Sequence, residues 1–179
     1  NVRIGLLATF LIVLAHFGAY TYVTPLLEQV TRIGLALIGS LLLVYGAAGI
    51  VGNFAVGFTM HRWLPQSFGG AAFLIGFATL LLPAVGQWVW ATALLLVVWG
   101  VAYGAVPACS QTWLARSAPD ATEAATVLFT SAFQATIGIG ALVGGVVVDT
   151  TSVPTVMVCG GIVAALAALV IVGAGPATR

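Results

Sequence analysis

The stretch GLLATFLIVLAHFGAYTYVTPLL, residues Gly5 to Leu27, decides how this chain is built. As a helix rising about 1.5 Å per residue it reaches roughly 34 Å, enough to cross a hydrocarbon core of roughly 30 Å. An ionisable side chain at the depth of His16 is costly in lipid, so it turns toward other protein or a water-filled path. With successive residues about 100° apart, Thr9, His16, Tyr20 and Thr24 share one side of the helix. Leu, Val, Ile, Phe and Ala fill most of the rest. A polar stripe on a spanning helix predicts further helices that enclose it.

The composition makes lipid the solvent for the rest of the chain. Charged residues are 5% of 179, hydrophobic residues 61%, and mean hydropathy is +1.18. A soluble domain carries roughly 25% charged residues. Lysine is absent, and a net charge of +1 without clustered arginines excludes a nucleic-acid footprint. Cys109 and Cys159 lie in apolar runs outside any CxxC or Cys/His pattern, so they read as packing residues and no metal site is expected. The first run is too long for a signal-peptide core, and no small-residue cleavage site follows it. The start at Asn1 is expected to mark a piece of a longer protein.

Six runs are long enough to span: 5–27, 34–58, 67–85, 88–114, 121–148 and 153–173. A polar break at Thr59 to Gln66 parts the second from the third, and Gly86-Gln87 is a tight turn before the fourth. Breaks this short make consecutive helices antiparallel neighbours. Arg3, Arg62, Arg116 and Arg179 fall on the side of the chain ends and only Arg32 on the other, which predicts both ends in the cytoplasm. Asp120 and Glu123 form a capping-box pattern before the fifth span, and Ser152 with Pro154 opens the sixth. Gly46, Gly49, Gly52, Gly100, Gly104, Gly140 and Gly144 mark close helix contacts. Pro107 is expected to kink the fourth span.

Polar residues concentrate in spans one, two, four and five, and spans three and six are almost bare. The first carries the His16 stripe, the second Tyr45 and Asn53, the fourth Trp99, Tyr103 and Ser110, the fifth Thr126, Thr130 and Gln134. Two triplets, each with two polar helices and a lipid-facing third, predict a three-plus-three inverted repeat around a cavity.

Several motifs are familiar. They are Tyr20-x-x-x-Thr24-Pro25-Leu26 in span one and Leu43-Val44-Tyr45-Gly46-x-x-Gly49-x-x-Gly52-Asn53 in span two. Pro119-Asp120-Ala121, Ala132-Phe133-Gln134 and Gly138-x-Gly140-Ala141-x-x-Gly144-Gly145-x-x-x-Asp149 complete them. In these the chain resembles the second half of a twelve-span major facilitator superfamily carrier. The branch it resembles is the bacterial drug:proton antiporters that include arabinose- and chloramphenicol-efflux-like permeases. The resemblance implies an all-α membrane fold and an N-terminal six-helix half as partner. It also implies proton-driven efflux of a small molecule such as a drug or sugar across the bacterial inner membrane, without a cofactor. In such carriers spans one and four line the substrate path and spans two and five lie beside the other half. By that analogy His16, Tyr20, Trp99 and Tyr103 are the first candidates for substrate contact, and Asn53, Thr130 and Gln134 the second. Members often carry Gly-x-x-x-Asp-Arg after the second span; here Gly57 to Arg62 has His61 where the acid would stand, leaving Arg62 as a gating candidate or an orientation charge.

Aromatic faces grip flat or cationic molecules, and a few donors and acceptors orient them. For His16 three readings stand: a histidine satisfied by a neighbouring hydroxyl or backbone carbonyl, a substrate ligand, or a proton carrier. Glu123 reads as a cap and Asp149 as a solvated loop acid. An intramembrane enzyme lacks parts, since no span pairs a nucleophile with a base and no HExxH is present. A noncatalytic or self-dimerising six-span subunit remains the alternative to a transporter half.

Overall fold

Lipid offers backbone amides no partners, so a chain this apolar folds into helices that satisfy their own. The computed structural model describes residues 2–173, and of residues 121 and 122 the backbone only. Asn1 and Arg179, the expected fragment start and one of the expected inner arginines, lie outside the described residues.

The helices are α1 (Val2–Tyr20), α2 (Val23–Leu26), α3 (Leu35–Val85), α4 (Val89–Ser117), α5 (Thr122–Thr150) and α6 (Val153–Gly173). A π turn covers Leu27–Thr31 and a 3-10 turn Pro119–Ala121. Among the described residues five helices are long and apolar enough to cross a membrane, and α3 has 51 residues. A straight helix of that length would reach about 76 Å. It does not run straight. Trp63 has non-helical φ −128° and ψ 44°, and the Thr59 and Ser67 hydroxyls lie 3.0 Å apart. A continuous helix would separate residues eight apart by about 12 Å. The two limbs of α3, residues 35–62 and 64–85, therefore form a hairpin, which brings the number of crossings to six.

The loop expected over Thr59 to Gln66 is thus a single broken residue between helical turns. Pro65, two residues on, favours a break here, because it lacks the N–H that would return to the His61 carbonyl. Arg116, in the last turn of α4, donates from its guanidinium to that carbonyl at 2.9 Å. The first span also differs from its expected extent. Its long helix stops at Tyr20, with a bend at Thr21 and Tyr22 before α2 and the π turn. Pro25 again removes the N–H that would reach back to Thr21. Arg32 closes the π turn at φ 57°, the left-handed geometry of a C-terminal cap, and the Ile33 N–H reaches the Leu27 carbonyl at 3.3 Å. Ser152 caps α6, its Oγ accepting from the Thr155 N–H at 3.3 Å. Pro107 sits inside α4, which is one element across it.

Small residues set the packing. A Cβ added at Gly52 would collide with the Val101 carbonyl oxygen, one at Gly104 with the Gly49 carbonyl oxygen, and one at Gly100 with the Tyr45 carbonyl oxygen. The first limb of α3 and α4 thus touch backbone to backbone. Gly144 meets the Gly18 carbonyl in the same way, which seats α5 on α1, and a Cβ on Gly160 would lie 2.9 Å from the Ala15 carbonyl oxygen, which seats α6 on the same helix. Gly76 lies against Gly161, joining the second limb of α3 to α6. Gly46 departs from the expected pattern, with open space where a Cβ would stand.

The third helix of each triplet is more than a bare wall. Gly160, Gly161, Ala164 and Ala168 of α6 are buried, while Ile162, Leu166 and Leu169 remain exposed. The most exposed faces belong to the first limb of α3, with Leu43, Ile50 and Phe54, and to α5, with Val127, Leu142 and Val146. At one end of the bundle Gly5 packs on the Trp113 indole and Thr112 donates to Met60 Sδ at 3.7 Å. Arg3, Arg62 and Arg116 gather at that end, and Arg32 lies at the other.

Filling the tightest contact tests this packing. In the intact protein Gly104→Val should lower stability by about 1–3 kcal/mol, as overpacking does, whereas Gly46→Ala should leave it unchanged. Thermal unfolding in detergent reads both, and equal melting temperatures for the two variants would contradict the backbone contact.

Candidate functional site

Three helices deliver aromatic side chains to one place in the membrane. His16, Phe17 and Tyr20 come from the last turn and a half of α1, Tyr45 from the first limb of α3, and Trp99 and Tyr103 from successive turns of α4. The Gly100–Tyr45 backbone contact sets Trp99 and Tyr45 side by side. His16, Tyr45 and Trp99 are buried, and Tyr20 and Tyr103 half-buried.

Four of the rings are nearly parallel. His16 stacks on Tyr103 with centroids 3.3 Å apart and planes 5° from parallel. Tyr20 lies 5.2 Å from His16 at 14°, and Tyr45 lies 4.8 Å from Tyr20 at 28°. Trp99 stands across this stack, 77° to His16, 86° to Tyr20 and 79° to Tyr45. Phe17 also stands across the stack, 86° to His16 and 89° to Tyr103. Edge-to-face contacts of this kind place positive ring edges on negative ring faces. The result is a set of parallel flat surfaces held by perpendicular walls.

One hydrogen bond orders the cluster. Trp99 Nε1–H donates to His16 Nδ1 at 3.1 Å. An accepting nitrogen keeps its lone pair, so the imidazole is neutral with its proton on Nε2. The partner is an indole N–H, neither the hydroxyl nor the backbone carbonyl expected for a satisfied histidine. A proton arriving at Nδ1 would displace Trp99, because two N–H groups cannot share the bond.

The four first-ranked candidates, His16, Tyr20, Trp99 and Tyr103, are therefore brought together. Tyr45 and Phe17 join them without having been singled out for contact. Tyr45 shares a helix and a motif with Asn53, but a span's face can be assigned only when its neighbour is known. Asn53, Thr130 and Gln134 are exposed, and the ring cluster is built without them. Thr130 donates to the Thr126 carbonyl of its own helix at 2.9 Å. Arg62 is exposed with its guanidinium carbon 5.5 Å from the Trp63 ring centroid, and Arg116, not anticipated, is the arginine that binds the hairpin. No group of three or more His, Cys, Asp or Glu able to hold a metal occurs among the described residues.

The family model described as Major Facilitator Superfamily matches residues 1–135. The chain belongs to the Major Facilitator Superfamily. The chain is 33% identical over 151 residues to the transcription regulatory protein OpdE of Pseudomonas aeruginosa, covering 84% of this chain and 38% of that protein. It is 25% identical over 171 residues to the purine ribonucleoside efflux pump NepI of Escherichia coli O6:H1, covering 96% of this chain and 43% of that one. The chain thus spans about two fifths of the length of these curated relatives. In superfamily terms it is a six-crossing half, and its apolar helices make it a multi-pass membrane protein.

The Trp99–His16 bond can be measured. A double-mutant cycle of Trp99→Phe and His16→Ala in the intact protein should return a coupling of about 0.6–1.7 kcal/mol, the span found for hydrogen bonds between membrane helices. Denaturant unfolding in mixed micelles supplies the four stabilities. Strict additivity would show that the bond carries no stability.

Proposed function

We propose that the chain is one half of a secondary active transporter that exports a flat small molecule by alternating access. The observation that carries this reading is the stack of four near-parallel rings from three separate helices, crossed by Trp99. Rings drawn from helices that rock against a partner can part and close around a planar guest, whereas rings of a structural core need not meet at a helix junction. Superfamily membership and the efflux activity named for the NepI relative support the same reading. That relative's printed substrate, a purine ribonucleoside, is planar in its base and, with flat drugs, falls in the substrate class proposed here, whereas a simple sugar, which has no flat face, does not.

The partner is an N-terminal six-helix half, seated on the exposed faces of α5 and the first limb of α3. Asn53, Thr130 and Gln134, exposed on those helices, complete the substrate path from that side. The energy source is the proton gradient, as in the drug:proton antiporter branch, and no cofactor takes part. The end bearing Arg3, Arg62 and Arg116 faces the cytoplasm of a bacterial inner membrane, where Arg62 gates the hairpin. Transport chemistry needs no bond making, so no catalytic residue is assigned.

Export assays on the full-length carrier test the reading. His16→Ala and Tyr103→Ala, each expressed at normal level, should lower energised export of a transported planar compound about twofold to tenfold, the effect of losing one stacked ring. A protonophore should abolish export by the unaltered carrier. Unchanged accumulation in cells making either variant would refute a role for the stack, and export indifferent to the protonophore would refute proton coupling.

A further inference from the structure

We infer that the Tyr45 hydroxyl is a substrate hydrogen-bonding group, so that the site selects planar molecules carrying a polar edge. This rests on the transporter reading above and adds a residue and a chemical requirement to it. Tyr45 is 7% exposed, and its hydroxyl oxygen is buried without a hydrogen-bond partner. An orphaned hydroxyl in a low-dielectric interior is costly, and a ligand that satisfies it recovers that free energy on binding.

The contrast with the other buried hydroxyls sharpens the inference. Thr9 donates to the Gly5 carbonyl at 2.7 Å, Thr79 to Ile75 at 2.8 Å, Thr92 to Gly86 at 3.1 Å and Thr136 to Ala132 at 2.6 Å. Tyr22 reaches across to the Ala141 carbonyl at 3.1 Å. Two other buried hydroxyls, Ser110 and Thr31, lack partners. Serine and threonine hydroxyls sit close to their own backbone and can turn to a carbonyl of the preceding helical turn. A tyrosine hydroxyl lies across its ring from the backbone and has no such local recourse. It must be met by another element or by a guest.

The ring that carries this hydroxyl is fixed. It lies 4.8 Å from Tyr20 and 5.8 Å from Trp99, and its backbone carbonyl touches Gly100. The phenol therefore cannot swing away to find water without breaking the stack. A guest stacked on a neighbouring ring and coplanar with Tyr45 would present its in-plane edge to the Tyr45 hydroxyl, so a planar heterocycle gains a bond there that a hydrocarbon does not.

Tyr45→Phe in the full-length carrier, reconstituted in nanodiscs, isolates the hydroxyl while keeping the ring. Binding is measured for two probes: adenosine, whose planar base has polar edges, and tetraphenylphosphonium, an aromatic cation without a hydrogen-bonding group. The variant should bind adenosine about fivefold to tenfold more weakly, the factor of one neutral hydrogen bond, and bind tetraphenylphosphonium as before. Without ligand it should melt at the same temperature as the unaltered carrier or higher, since a buried orphan has been removed. Equal adenosine affinity in both proteins overturns the inference and leaves the transporter reading standing. A lower melting temperature without ligand also overturns it, because the hydroxyl then has a partner in the other half of the carrier. If the unaltered carrier binds neither probe, the planar-substrate reading falls and this inference falls with it.

Discussion

Backbone-to-backbone contact between helices is the constraint on which the structure depends. In lipid the hydrophobic effect does not drive helices together, so association comes from dispersion and from the few hydrogen bonds that close approach permits. At Gly49, Gly52, Gly100 and Gly104 the first limb of α3 and α4 come as near as their carbonyls allow. That approach does more than hold two helices. It sets the backbone of Tyr45 against Gly100, one residue from Trp99 and three from Tyr103. Large side chains at those glycines would hold the helices apart and separate the rings. Gly18, Gly140 and Gly144 do the same for α5, and Ala15 with Gly160 for α6, so α1 is clasped on three sides at the level of His16.

The histidine illustrates how a costly group is kept in a membrane interior without a charge. Its Nδ1 receives an indole N–H, its face receives Tyr103, and its edge meets Phe17. Each contact suits a neutral imidazole. Trp99 is fully buried and spends its one donor on this bond. A pair of residues separated by 83 positions in sequence thereby fixes the relative rotation of α1 and α4 about their axes.

Much of this was legible in the sequence, for physical reasons that differ between features. Apolar runs of spanning length are forced by the bilayer, so the all-helical class followed from composition and periodicity alone. His16, Tyr20, Trp99 and Tyr103 could be grouped because polar or aromatic residues at lipid depth have few places to face. The rest needed tertiary facts. Nothing local distinguishes Gly46, which packs on nothing, from Gly49, which meets Gly100 and Gly104. Tyr45 could not be placed in the ring stack until the rotation of its helix was known. The turn between the limbs of α3 read as a loop of several residues because it holds polar side chains. The backbone needs only one non-helical residue there, once Pro65 has removed a donor and Arg116 has supplied another.

Arg116 links two requirements that are usually met by separate residues. Arg116 adds its charge to the end of the bundle that carries Arg3 and Arg62, and it also supplies a donor to a helix interrupted by proline. A substitution that removed the charge in order to alter topology would at the same time uncap the hairpin. Any lysine replacement would keep the sign but present a single ammonium where a planar fork now meets a backbone oxygen. The positive charge at this end of the bundle and the joint of the hairpin thus belong to the same side chain.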